Sequence, residues 1–217
     1  MAEQKTIQGN PAVVGLAGFG LTTLLLQFHN LGWCGTGVVF CTAIILGGGA
    51  QLVAGFQEFR CGNNFGYSAF TVFGAFWLSL GLIWLILDLQ GAQNSFIGNH
   101  LKITPNDIGL FLLAFTLYTT IMWVASLRVS GMMAFTFTTV VLGFIGLDLV
   151  FLADMKWLMP AVAMDLIVCS LSAWYMMAHI IFLQVFGRDL LPVGKPWLTL
   201  KPAMRTAAPE EIALCES

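Results

Sequence analysis

The sequence predicts an all-α membrane protein, a bundle of six transmembrane helices, on three observations. Charged residues make up 9% of the 217 positions and hydrophobic ones 58%, whereas a soluble domain carries about 25% charged residues. So few charges cannot cover a surface that faces water. Long stretches hold no Asp, Glu, Lys or Arg at all, among them Thr6–Gln57 and Cys61–Leu87. The breaks between apolar stretches are short and rich in Gly, Asn, Gln or Pro, which punctuate helices.

A helix needs roughly 20 apolar residues to cross about 30 Å of hydrocarbon. Thr6–Gln57 therefore holds two spans, turned at Asn30–Gly37, where Gly32, Gly35 and Gly37 cluster. Cys61–Leu87 is the third span. Asp88–Asp107 reads as a loop, with Gln90, Gln93, Asn94, Asn99, Lys102 and Pro105. Ile108–Leu127 is the fourth span, closed by Arg128. Val129–Leu147 is the fifth, ending near Asp148 and Asp154, and about Trp157–Phe186 is the sixth, interrupted by Asp165. The chain thus divides into an N-terminal segment (1–10), a membrane domain (11–187) and a tail (188–217). That tail, with Pro192, Pro196, Pro202 and Pro209, reads as poorly ordered. No signal peptide is evident: both signs of charge occur before the first apolar run, and no small-residue cleavage site follows it.

An even number of spans puts both termini on one side. Lys5, Arg60, Arg128, Arg188, Lys195, Lys201 and Arg205 fall on that side, against Lys102 and Lys156 on the other. The positive-inside rule then predicts a multi-pass inner-membrane protein with cytoplasmic termini.

Several function classes drop out. A net charge of −2 gives no electrostatic footprint for nucleic acid. The cysteines at 34, 41, 61, 169 and 215 have no metal-ligand spacing and imply neither zinc nor a disulfide framework. No lysine lies in a span, which excludes a retinal Schiff base. No nucleophile–His–acid set or phosphate loop is present, so neither an enzyme nor a cofactor is expected.

The informative residues are the polar ones inside the spans, because lipid leaves an unpaired polar group unsatisfied. The first span offers Thr22, Thr23, Gln27, His29 and Asn30, the second Thr42 and Gln51, the third Ser68, Thr71 and Ser79. Ser and Thr often bond their own i−4 carbonyl, whereas a lipid-facing Gln51 amide has no such outlet. For Asp165 a pore or partner role and an interfacial carboxylate are both open. For Glu58 both a surface pair with Arg60 and a place near a pore mouth are open. His29 and His179 read either as hydrogen-bonded helix-end residues or as haem or proton-relay groups. Asn10-Pro11 precedes the first span and Gly62-Asn63-Asn64 the third. Helix N-termini present free N–H groups and partial positive charge, suited to a carboxylate.

The run Asn10-Pro11-Ala12-Val13-Val14-Gly15-Leu16-Ala17-Gly18-Phe19 closely resembles the signature of the acetate uptake transporter family, also called succinate–acetate permeases. That signature reads N-P-A-P, a bulky apolar residue, G-L, a variable position, a small residue and F. The likeness continues through Thr22-Thr23, His29-Asn30, Ala50-Gln51, Ala54-Gly55, Glu58, Gly62-Asn63, Phe65-Gly66, Ala69-Phe70-Thr71, Gly74 and Phe76-Trp77. It returns at Phe186-Gly187-Arg188 and Leu191-Pro192.

The resemblance implies a six-helix protomer with a pore through its own bundle, assembled as a homohexamer in the bilayer. Its substrate would be acetate, with succinate or other small carboxylates, moved by proton-coupled uptake or by anion flow; by analogy, net movement with protons is favoured. An apolar constriction from the first, third and fifth spans falls by position on Phe19, Phe73 and Val140. The matched residues Asn10, Thr22, Thr23, Gln51, Glu58, Asn63, Phe70, Thr71 and Trp77 are the expected substrate path. Three departures stand out: Val13 replaces the second proline, Phe73 stands where Tyr is usual, and Leu183-Gln184 stands where relatives tend to show Asn-Glu. A channel for neutral solutes such as urea or amides is the alternative within transport. A haem protein using His29 and His179, or a purely structural oligomer, lies outside it.

Overall fold

The computed structural model describes residues 9–92 and 95–199, and expectations resting on Lys5, Asn94, Lys201, Arg205 and the end of the tail lie outside them. The described residues contain helices and no strand. Six helices are long and apolar enough to cross a membrane: Ala12–Asn30, Thr36–Arg60, Asn64–Gly91, Pro105–Ser126, Gly131–Leu152 and Lys156–Phe186. They are numbered as spans in that order. Two boundaries differ from expectation. The third span continues to Gly91, and a short helix, Phe96–His100, occupies part of the expected loop. The fifth span runs past Asp148 to Leu152, so Asp148 lies within it, its Oδ2 accepting from Thr116 Oγ1 of the fourth span at 2.7 Å.

Local chemistry sets the helix starts. Asn63 caps the third span, its Oδ1 accepting from the Gly66 amide at 3.1 Å. The fourth begins with a capping box, Thr104 and Asp107 bonding each other's backbone N–H around Pro105. Ser130 caps the fifth through the Met133 amide at 3.2 Å. The sixth ends at Gly187 in the left-handed conformation (φ 66°), where glycine carries no Cβ penalty.

The spans form a ring. The first packs on the second and sixth, the second on the third, the fourth on the fifth and the fifth on the sixth, with a thinner contact between third and fourth. Among the described residues no Cα of the fifth span lies within 8 Å of one in the first or third, so these spans face each other across an interior filled by side chains. Aromatic rings fill much of it: Phe65 and Phe137 lie 5.5 Å apart, Phe73 and Phe144 6.4 Å, and Phe76 and Phe144 5.6 Å. Outward, large apolar residues such as Ile45, Val53, Leu82, Leu117, Ile121, Leu142 and Val185 are exposed, as a lipid-facing surface requires.

The second span is not uniform. Ala43–Ala50 is π-helical, between α-helical Thr36–Thr42 and Gln51–Arg60. Gly47 sits where a Cβ would come within 2.7 Å of Thr22 Oγ1 and 2.8 Å of the Trp77 ring, and a Cβ on Gly18 would lie 2.6 Å from the Leu46 carbonyl oxygen. Small residues thus let the first, second and third spans close on one another. π-Helical turns are rare and cluster at functional sites, and this one ends directly at Gln51.

The expectation of a poorly ordered tail is corrected for residues 188–199. The Met132 amide donates to Val193 O at 2.8 Å, Leu198 N to Leu127 O at 2.9 Å, and Tyr175 Oη to Pro192 O at 3.1 Å. Prolines stiffen this segment, and its apolar residues dock: Val193 packs against the buried Leu16, Phe70, Ala173 and Met176.

Candidate functional site

Two cavities lie end to end inside the ring. The larger, about 310 Å³, takes Ala12, Leu16 and Phe19 from the first span, Gln51 from the second, the capping Asn63, and Phe65, Gly66, Ala69, Phe70 and Phe73 from the third. The fifth adds Ser130 to Val140, the sixth Met176, His179 and Ile180, and the tail Val193. Because Ala12, Asn63 and Ser130 are span starts, this cavity opens toward the face where the first span begins and the sixth ends, called here the terminal face. The smaller, about 40 Å³, continues along the same spans through Thr23, Leu26, Gln27, Phe76, Trp77, Phe144, Leu147 and Leu166.

Phe19, Phe73 and Val140 line both cavities. They stand about 10–14 Å along their helices at 1.5 Å per residue, a common depth. The rings of Phe19 and Phe73 meet edge-on, centroids 5.8 Å apart at 64°, a favoured aromatic geometry. Phe73 and Val140 are 4% and 3% exposed. Tyr118 of the fourth span backs Phe73 at 5.9 Å, its hydroxyl donating to Ser68 O at 2.9 Å.

Polar groups in the cavities are few. Gln51 is 1% exposed, and its Oε1 is buried without a hydrogen-bond partner. In the smaller cavity Thr23 Oγ1 and Trp77 Nε1 are likewise buried and unpartnered. Gln27 there donates to Thr23 O at 3.3 Å and accepts from Asn30 Nδ2 at 3.0 Å. Each such orphan costs about 1–3 kcal/mol unless something pairs with it. No Lys or Arg lines either cavity. Positive potential comes instead from the backbone. Alternate spans run the same way, so the first, third and fifth present their N-terminal ends (Ala12, Asn63–Gly66, Ser130–Met133) to the larger cavity. Each such end carries roughly half a positive charge.

Of the path residues read from sequence, Gln51, Asn63 and Phe70 line the larger cavity and Thr23 and Trp77 the smaller. Four line neither. Asn10 is exposed and accepts from the Ala12 amide at 3.0 Å. Thr22 is fully buried and donates to Thr42 O at 3.4 Å in the contact between first and second spans. Thr71 abuts Gly55 of the second span. Glu58 forms no surface pair with Arg60. It is 3% exposed, and its Oε2 accepts from Asn63 Nδ2 at 2.6 Å. It packs against Gly66, where a Cβ would come within 2.6 Å of Oε2. Asn63 is thereby engaged at both ends of its amide.

His29 and His179 cannot share a haem: the first sits at the far end of the first span, bonded to Cys34 O at 3.1 Å, the second near the terminal face. Asp165 lines neither cavity, and its Oδ2 is buried and unpartnered. Among the described residues no group of three His, Cys, Asp or Glu could hold a metal. Sequence reading missed Ser130, Thr136, Phe137, His179 and Phe144 as lining residues. Span parity was the available signal: the fifth span begins on the same face as the first and third.

Comparison with known proteins agrees with this architecture. Succinate-acetate/proton symporter SatP of Escherichia coli (strain K12) is 33% identical over 189 residues, covering 86% of this chain and 95% of that protein. Ammonia transport outward protein 2 of Saccharomyces cerevisiae is 40% identical over 117 residues, covering 51% and 39%. The solved structure of the bacterial acetate channel SatP superposes with a TM-score of 0.78 at 32% identity, over 87% of this chain and all of that one. The chain is a multi-pass membrane protein whose relatives are transporters or channels. Since the profile of the GPR1/FUN34/yaaH family matches residues 1–185, the chain belongs to that family.

Proposed function

We propose that this protein carries acetate, and other small carboxylates, across the bilayer through the two cavities, with Phe19, Phe73 and Val140 as the constriction between them. The observation that carries this reading is the convergence of three helix N-termini on a cavity without lysine or arginine. Fixed partial positive charge attracts a carboxylate without trapping it as a cationic side chain would, and a carrier must release its cargo. Thr23 Oγ1 and Trp77 Nε1 are unmet donors for a carboxylate along the way, Gln51 Oε1 is an unmet acceptor for the protonated acid, and the apolar constriction makes a carboxylate shed hydration as it passes. The names of the relatives support acetate as substrate. The protein works as a homohexamer in the inner membrane with both termini cytoplasmic, the sidedness resting on the Lys and Arg asymmetry. Net movement is accompanied by protons.

The test is uptake into proteoliposomes. Labelled acetate enters faster than succinate, urea or methylammonium, and an imposed acetate gradient moves protons with it. Flux of urea or methylammonium without acetate flux would reject the reading, and charge movement without protons would reject symport.

A further inference from the structure

Resting on that reading, we propose that His179 is a substrate-binding residue of the larger cavity: its Nε2 takes a carboxyl oxygen and shares one proton with it. His179 lines this cavity from the sixth span, and its side chain is 17% exposed. Its Nδ1 faces two acceptors from the tail, Leu191 O at 2.8 Å and Asp189 Oδ1 at 3.2 Å. A carbonyl and a carboxylate both accept, so Nδ1 carries the hydrogen and the tautomer is fixed. The ring's other nitrogen, Nε2, has no hydrogen-bond partner among the described residues, so it is the nitrogen left for a cavity ligand.

The other polar groups at this mouth are engaged. Ser130 and Asn63 cap helices, and Thr136 Oγ1 bonds Met132 O and Ser172 Oγ. His179 and Gln51 are what remain for cargo. Around the ring the titratable group is Asp189, from the tail. The first span contributes Ala12 and Leu16 there and the fifth Ser130 and Met133, none of which titrates. Arg188 and Lys195 are exposed and form no ion pair with Asp189. Glu58, on the same face, lines neither cavity; its Oε2 accepts from Asn63 Nδ2, and its Oε1 is buried without a partner.

The chemistry follows from the fixed tautomer. A neutral ring offers a lone pair at Nε2, which repels a carboxylate but accepts the O–H of a carboxylic acid. A protonated ring offers N–H, which donates to a carboxylate. Both bound forms contain the same proton, lying between Nε2 and a carboxyl oxygen. Binding at this nitrogen therefore brings in one carboxylate and one proton as a unit, an entry step in which cargo and proton arrive together.

Three variants test this. Purified protein in weakly buffered detergent at mildly alkaline pH takes up protons when acetate is added. His179→Gln keeps a polar donor but cannot hold the proton. It raises KM for acetate and abolishes proton uptake on binding. His179→Ala raises KM for acetate about tenfold, the scale of a hydrogen bond to a charged group, with little change in kcat. Asp189→Asn keeps an acceptor for Nδ1–H and weakens proton uptake less than His179→Gln does. Wild-type proton uptake and KM in His179→Gln would overturn the assignment, whatever the alanine variant does. Absence of acetate transport in the unmodified protein would instead sink the carboxylate reading itself.

Discussion

On the terminal side of Phe19, Phe73 and Val140 the bundle encloses about 310 Å³, and on the far side about 40 Å³, although the first, third, fifth and sixth spans line both. Side-chain size makes much of the difference. Ala12, Gly66 and Ala69 line the wide part, whereas Phe76, Trp77, Phe144 and Leu147 crowd the narrow one. Electrostatics divides the same way. Helix starts face the wide cavity, while the narrow one has single dipoles from Thr23, Gln27 and Trp77. The wide part has room for a carboxylate with some of its water. On the proposed path, the narrow part would admit it only largely stripped, hydrogen-bonded to side chains one at a time.

Four substitutions break or sharpen this contrast, in falling order of effect. Gln51→Ala removes the unpartnered amide of the wide cavity. If its Nε2 donates to the carboxylate, acetate flux at low concentration falls roughly ten- to hundredfold, the scale of a hydrogen bond to a charged group. Wild-type flux in a folded, equally expressed variant would remove Gln51 from the path. Phe19→Ala merges the two cavities, and the barrier to a larger diacid drops. The acetate-to-succinate flux ratio falls about fivefold, on the order of 1 kcal/mol of lost discrimination, and an unchanged ratio means the constriction lies elsewhere. The smallest effect separates neighbours. Thr23→Val takes a hydroxyl from the narrow cavity and raises KM for acetate about threefold, within the net worth of one neutral hydrogen bond. Thr22→Val, facing the second span, leaves KM alone, and equal effects from both would contradict the geometry.

Much of the architecture was legible before any coordinates. Charge-free runs mark the spans because lipid tolerates little else, and parity then assigns each helix start to a face. The positions at which the two cavities meet came from resemblance; composition alone does not distinguish Phe73 from any other membrane phenylalanine. Tertiary packing decided the rest. Glu58 next to Arg60 reads as a surface pair until the turn into the third span brings Asn63 to its carboxylate at 2.6 Å. Gly47–Gly49 announces close approach, but not the π-helical register of Ala43–Ala50, which packs against Gly18 and Trp77. Pro192 and Pro196 suggested a loose tail, while Val193 and Leu198 were already apolar enough to anchor it. Nothing in a sequence tells which nitrogen of His179 is engaged, because its partners come from a separate segment.

The docked tail also carries the folded unit past the last span to at least Leu198. The Gly131 and Met132 amides, first donors of the fifth span, are satisfied by the carbonyls of Gly194 and Val193, and Leu198 closes onto Leu127. A chain cut at the last helical residue would leave those amides bare at the cavity mouth and His179 without the carbonyl that orients it. Affinity tags, fluorescent fusions and crystallisation truncations therefore belong beyond Leu198. A shortened protein that inserts normally but transports poorly would have lost a working part of its vestibule.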